Sequence, residues 1–434
     1  MTEARGWFAD LTPLDNAREA ANERLFRRLL LAIVAAGAVL RIVVLVSKWN
    51  RGLLLNDSLW YSGQAQGLAD GRFFQEFFLV SGAEHAPLSS IVIAPASFLP
   101  RPEFWQRTTM TAIGICGIVL IALLARRVGG RRVAIIAAAI AAFYPNVWMG
   151  DALIMSETLS LALICVALLA ALRYREQMDV RSAVLVGLAV GVAAHARSEV
   201  LVYTPLFALI GIRTLPWRSW ARTAAPLVAA TLVVLIPWTA FNLSRFERPV
   251  LMSTNDGTTL LGANCPATYS GPAMGGWILT CLDDDLGKTD EDASERSARQ
   301  RREAMAYANQ HKTRLPLVAI ARVARAVDLY GLEDLIRGDV GEERARWSIW
   351  AGIVCWWMLA PLAAVGLWRN RHRFGITLFA PLIGVAITTI VFYGSHRLRA
   401  PVEPVVVVGA ALFLANIPRV RDEITARLSR FPHS

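Results

Sequence analysis

The chain is 434 residues long, 55% hydrophobic and 18% charged, with a formal net charge of +11. Soluble domains carry roughly 25% charged residues and spread their apolar positions periodically; here the apolar residues come in long blocks, which excludes a soluble globular protein. The positive charge sits in short arginine clusters between those blocks rather than on one face, which excludes nucleic acid as a partner.

Residues 1–28 are charged and moderately amphipathic (Asp10, Asp15, Glu19, Glu23, Arg24, Arg27, Arg28) and lack the pattern of a signal peptide. They read as a cytoplasmic tail before an uncleaved anchor. A bilayer span needs about 20 mostly apolar residues, and with no water in hydrocarbon to satisfy its amides such a block must be helical. Ten blocks qualify: 29–47, 106–125, 133–149, 157–172, 182–196, 200–212, 221–241, 347–367, 374–392 and 401–417. An eleventh apolar piece, 86–100, is short and holds three prolines. If it does not cross, one side of the membrane collects 22 basic residues in its tails and short loops, and the other side 7. The positive-inside rule selects that arrangement and puts 86–100 on the outer surface as a juxtamembrane or re-entrant element.

The expected fold is therefore an all-α polytopic membrane protein with about ten transmembrane helices. Residues 29–241 form a transmembrane core with a first outer loop at 48–105. Residues 242–346 form a small extracytoplasmic subdomain with an acidic patch (Asp283, Asp284, Asp285, Asp290, Glu291, Asp292). Residues 347–417 complete the membrane helices, and 418–434 are a basic cytoplasmic tail. Cys265 and Cys281 share the long outer loop, in an oxidising compartment by this topology, and are expected to form a disulfide.

Ionisable residues at a membrane edge are costly and mark function by default. In this topology they gather outside: Asp57 in the first loop, then Glu84 and His85, then Asp151 and Glu157, then His195, Arg197 and Glu199, and finally His396, Arg397, Arg399 and Glu403. The inner loops are almost purely arginine, and Arg41 is the main interior exception. Each group also has a plainer reading. Asp57 could be a helix N-cap, and Glu157 could complement a helix dipole. Arg197 with Glu199 could be a helix-end salt bridge, Arg397 and Arg399 headgroup anchors, and His85 a structural residue. No His/Cys pair has zinc-ligand spacing. The convergence of sequence-distant groups on one face favours chemistry there.

At these residues the sequence resembles the GT-C superfamily of polyprenyl-phosphate-sugar glycosyltransferases, in particular the branch of protein O-mannosyltransferases and lipid A aminoarabinose transferases. The resemblance rests on Asp57 with Tyr61, the turn Glu84-His85-Ala86-Pro87, the RRVGGRR loop at 126–132, the YP…SETL stretch at 144–159, the ARSE stretch ending at Glu199, and RLRAPVEP at 397–404. The first-loop motif departs from many members in having Asn56, not a second acid, before Asp57. The resemblance implies transfer of a sugar from a polyprenyl-phosphate-linked donor to an acceptor hydroxyl, with inversion, on the outer face of the plasma membrane. Asp57 would be the general base, and Arg397, Arg399 and Arg197 would hold the donor phosphate. Glu84, His85, Asp151 and Glu157 would position the acceptor or a divalent cation (Mg or Mn), and Trp60 and Tyr61 would stack on sugar. The partners implied are the lipid-linked donor and an envelope acceptor that is protein, lipid or glycan. A transporter or flippase for polyprenyl-linked intermediates is the competing class; it calls for charges along a path through the bilayer. An envelope assembly protein that docks partners on 242–346 is a third.

Overall fold

The computed structural model describes residues 13–54, 56–77, 80–285 and 291–417. The tail at 418–434, Asp10, Asp290, and the side chains of Asp15, Asp283, Asp284 and Asp285 lie outside the described residues. Everything regular among the described residues is helical, apart from one isolated bridge between Phe77 and Val80.

In chain order the helices are α1 (Pro13–Val46), α2 (Asp57–Ala69), α3 (Leu88–Ile93), α4 (Pro102–Phe143), α5 (Pro145–Trp148), α6 (Ser156–Gln177), α7 (Val180–Ala194), α8 (Tyr203–Ala208) and α9 (Trp217–Leu243). The 242–346 region contributes α10 (Asn255–Ala263), α11 (Pro266–Tyr269), α12 (Ala293–Gln310), α13 (Leu315–Ala326) and α14 (Leu332–Gly341). Then follow α15 (Arg346–Phe374), α16 (Ala380–Val391) and α17 (Glu403–Leu414). Five of these, α1 from Glu19 onward, α4, α6, α9 and α15, are long and apolar enough to cross a membrane; α7, α16 and α17 are shorter apolar helices.

Side-chain pairs set the direction of each helix. Glu23 near the start of α1 binds Arg126 and Arg131, and at the other end Lys48 and Arg107 share Glu343. So α1 and the first limb of α4 run antiparallel, and residues 48–101 leave and rejoin the bundle at one end. α3 and the 3-10 turn Ala94–Phe98 that continues it total only 11 residues. At about 1.5 Å per residue in the α-helix and 2.0 Å in the 3-10 turn that is roughly 19 Å, well short of a hydrocarbon core of about 30 Å. This is why 86–100 stays at one end.

The RRVGGRR loop turns within α4. Gly130 takes φ 81°, ψ −174°, a conformation that side-chain-bearing residues avoid, and it splits the 42-residue helix into two limbs. Block 200–212 does not form one helix. It passes through a 3-10 turn (Ser198–Val202), the six-residue α8 and a turn at Gly211 with φ 85°. It still travels the depth of the bundle, because the helices on either side are parallel: Thr231 of α9 bonds Gly187 of α7, and Val234 packs on Gly191. Arg197 thus lies at the end holding Glu157, and Ala208 lies at the opposite end, where Trp220 donates to its carbonyl at 2.7 Å.

The core is built from small and branched residues, with Ala134, Ala137, Ala138 and Ala141 of α4 fully buried beside Ile164, Leu168 and Val408. Cys265 and Cys281, 16 positions apart, are joined as a disulfide that ties the start of α11 to the 3-10 turn Leu279–Asp285.

Candidate active site

The first loop after α1 delivers Asp57. Asn56 is the N-cap of α2, its side chain accepting from Ser58 N at 2.9 Å, and Asp57 is the first helical residue. The cap reading therefore belongs to Asn56 and leaves the Asp57 carboxylate free for other partners. One turn on, Tyr61 stacks on the His85 ring (centroids 5.1 Å) and Trp60 meets it edge-on (5.0 Å). That sandwich holds His85 Nε2 3.5 Å from Asp57 Oδ1. α3 packs beneath, with Ser90 Oγ donating to Tyr61 O at 3.1 Å.

Arg397 reaches the same point from the 3-10 turn His396–Arg399. Its guanidinium bonds three carboxylates: Asp57, Glu157 at the start of α6, and Glu342 through Nη1 at 2.8 Å. Arg197 stands 3.4 Å from Glu157 and 2.5 Å from Glu199. Burial alone would raise the Asp57 carboxyl, but Arg397 and His85 more than offset this and hold it well below the usual carboxylate range. The same pairing lifts His85 despite its burial.

These groups floor a cavity of about 640 Å³. Asp57, Tyr61, His85, Arg197, Glu199 and Arg397 line its inner end. Asn255, Asp256, Ser294, Ser297 and Arg301 of α10 and α12 line the roof, and Thr388, Phe392 and Tyr393 form a flank at the end of α16. The 242–346 region is thus a wall of the cavity.

Several expected residues lie elsewhere. Arg399 is 3% exposed and bonds Asp328 (2.7 Å) and Glu403 (3.0 Å) with its guanidinium over Trp356, so it does not reach the cavity. Asp151 is buried against Arg41 at 2.6 Å and Thr158 at 2.9 Å, which also accounts for the interior arginine. Glu84 sits behind His85 and accepts from Thr254 at 3.3 Å. Trp60 is buried, its indole N–H on Ser81 O at 2.9 Å, so Tyr61 alone of the pair faces the cavity. Glu157 is close to the centre but hidden under Arg397.

The turn at 341–344 is the part that sequence reasoning missed. Glu343 adopts φ 64°, a strained conformation for a residue with a side chain, which persists only where the surroundings impose it. Here Lys48 (3.4 Å) and Arg107 (2.8 Å) grip its carboxylate, and Asn56 donates to Gly341 O at 3.0 Å. Glu342 and Arg344 project from that anchored turn, Arg344 to Asp339 at 2.6 Å and toward Glu157 at 3.9 Å. The only local sign in the sequence is the charged string Gly341-Glu342-Glu343-Arg344 directly before an apolar block.

Residues 84–241 match the family described as dolichyl-phosphate-mannose-protein mannosyltransferase. The oligosaccharyltransferase AglB from Archaeoglobus fulgidus, solved with an inhibitory peptide and a dolichol-phosphate, is similar at 14% identity and TM-score 0.56, over 93% of this chain and 52% of its own. ArnT from Cupriavidus metallidurans, in the apo state, is similar at 15% identity and TM-score 0.54, over 89% of this chain and 61% of its own. The Archaeoglobus enzyme solved with Zn and sulfate gives 15% identity and TM-score 0.55, over 92% and 50%. The chain thus spans about half to three-fifths of the length of these proteins. No curated protein matches. The all-α fold, with its five membrane-length helices among the described residues, is similar to that of AglB and ArnT. Residues 84–241 are thus similar to the mannosyltransferase family, and the whole described fold is similar to that of ArnT.

Proposed function

We propose that the protein is a membrane glycosyltransferase that moves a sugar from a polyprenyl-phosphate-linked donor to an acceptor hydroxyl, with the site facing outward from the plasma membrane. The observation that carries this reading is the inner end of the cavity, where the Asp57 carboxylate is paired with Arg397 and the pair Arg197–Glu199 shares the lining. Asp57 accepts the acceptor's hydroxyl proton as the oxygen attacks the anomeric carbon. The bond from that carbon to the phosphate oxygen breaks with inversion, and its electron pair leaves with the phosphate. The donor is a phosphodiester and polyprenyl phosphate departs as a stable monoester anion, so the step needs cations to hold the developing charge rather than a general acid. Arg397, with Arg197 behind it, supplies charge-assisted contacts. Tyr61 offers a ring face to the sugar. The polar roof residues face an envelope acceptor, whether protein, lipid or glycan.

Among the described residues no three His, Cys, Asp or Glu side chains are grouped to hold a metal ion, and the central carboxylates face guanidiniums. No step is therefore assigned to Mg or Mn.

Replacing Asp57 by Asn tests the reading. The amide keeps the size but cannot take the proton, and Asn56 remains to cap α2. Turnover should fall roughly 10²–10⁴-fold with expression and donor binding retained. Wild-type turnover in the variant would move the base elsewhere and overturn this mechanism.

A further inference from the structure

Three carboxylates meet the single positive charge of Arg397. A phosphodiester arriving there meets an excess of negative charge unless one carboxylate moves or takes a proton. The three are not equivalent. Asp57 also has His85, and Glu157 also has Arg197 and Arg344. Among the described residues Glu342 forms an ion pair with Arg397 alone, Arg344 of its own turn acting on it only from beyond contact distance. Its Oε2 is buried without a hydrogen-bond partner, as is that of Glu157, which has the two further guanidiniums beside it. The turn that carries Glu342 is clamped through its neighbour Glu343, so Glu342 cannot readily swing away. Protonation is then the simpler way to remove its charge.

Resting on the donor reading above, we propose that Glu342 is a positioning residue that holds Arg397 for the donor phosphate and takes up one proton when that phosphate binds. The charges facing it are Arg397 from the turn before α17, Asp57 and His85 from the first loop, Glu157 with Arg197 across the site, and Arg344 from its own turn. Burial pushes the Glu342 carboxyl up to about 7 against the pull of Arg397, aided by the negative charges of Asp57 and Glu157. Asp57 stays ionised across the same range. A bound phosphate raises Glu342 further, so binding draws in a proton at and above neutral pH.

The probe is a methyl polyprenyl phosphate, a diester whose one negative charge does not titrate near neutrality. It is bound to the full protein in nanodiscs by calorimetry from pH 6 to 9 in buffers of differing ionisation heat. Wild-type affinity should be flat below about 7 and then weaken toward tenfold per pH unit, with one proton taken up per ligand. Glu342→Gln still offers Arg397 an oxygen but has no proton to gain. It should bind at the wild type's low-pH strength throughout, with no proton uptake. Glu342→Ala, which removes the hold on Arg397, should bind more weakly than the Gln variant at every pH. A Gln variant that titrates like wild type, or wild-type binding that ignores pH, overturns the proposal while leaving the donor site intact. Failure of the wild type to bind at any pH overturns the donor reading as well.

Discussion

Arg397 and Arg399 stand two residues apart on a 3-10 turn, which sets their side chains about 240° apart around its axis. One therefore points into the cavity and the other into the interior. Written as R-x-R the two look interchangeable, and only the local helix type separates them. Their variants should separate too. Arg399→Ala leaves Glu403 buried without its cation and Asp328 with His396 alone, a loss of about 3–5 kcal/mol in thermal unfolding. Arg397→Ala should instead raise the donor requirement by about 1.5–3 kcal/mol, with Lys restoring only part because a point charge cannot replace the planar fork. If Arg399→Ala unfolds like wild type, its interior role is wrong. If Arg397→Ala uses donor normally, that arginine is not the phosphate contact. The same sensitivity to one residue of register appears at Asn56 and Asp57, where the cap falls on the first and the second is left for the site.

At the scale of elements, the apolar blocks were legible because a span is a local property: about 20 residues of one composition. The break inside 200–212 was not, since Pro205 and Gly211 interrupt a block that stays apolar throughout. The piece at 86–100 was legible by parity of charge, and its short helix gives the geometric reason. The orientation built on it makes a labelling experiment decisive. Arg72 and Arg127 suit a probe, with side chains 58% and 47% exposed. With the background cysteines replaced, an impermeant thiol reagent on intact cells should label Arg72→Cys and spare Arg127→Cys until the membrane is opened. Labelling of position 127 from outside would reverse the face on which the cavity lies.

At the scale of the whole molecule, the site is assembled from four stretches that the sequence keeps far apart: 57–85, 157–199, 342–344 and 396–399. The last two lie at opposite ends of α15 and α16, and nothing in a hydrophilic loop announces that its final turn returns to the first span. What brings it back is Glu343, whose carboxylate takes Lys48 from the exit of α1 and Arg107 from the entry of α4, all three buried. Glu343→Gln keeps nearly the same shape but leaves two buried cations on a neutral amide. Breaking a buried pair in this way should cost about 3–5 kcal/mol. The matching change at the exposed pair Glu333–Arg346, whose side chains are 71% and 64% exposed, should stay within about 0.5 kcal/mol. The loss should reach the chemistry as well, because Glu342 and Arg344 ride on the same turn. Turnover in Glu343→Gln should drop although no atom of Glu343 lines the cavity. Adding Lys48→Met removes one stranded charge and should recover part of the stability, a coupling that a double-mutant cycle measures directly. If Glu343→Gln melts and turns over like the Glu333→Gln control, the long loop is held at the site by something other than this clamp.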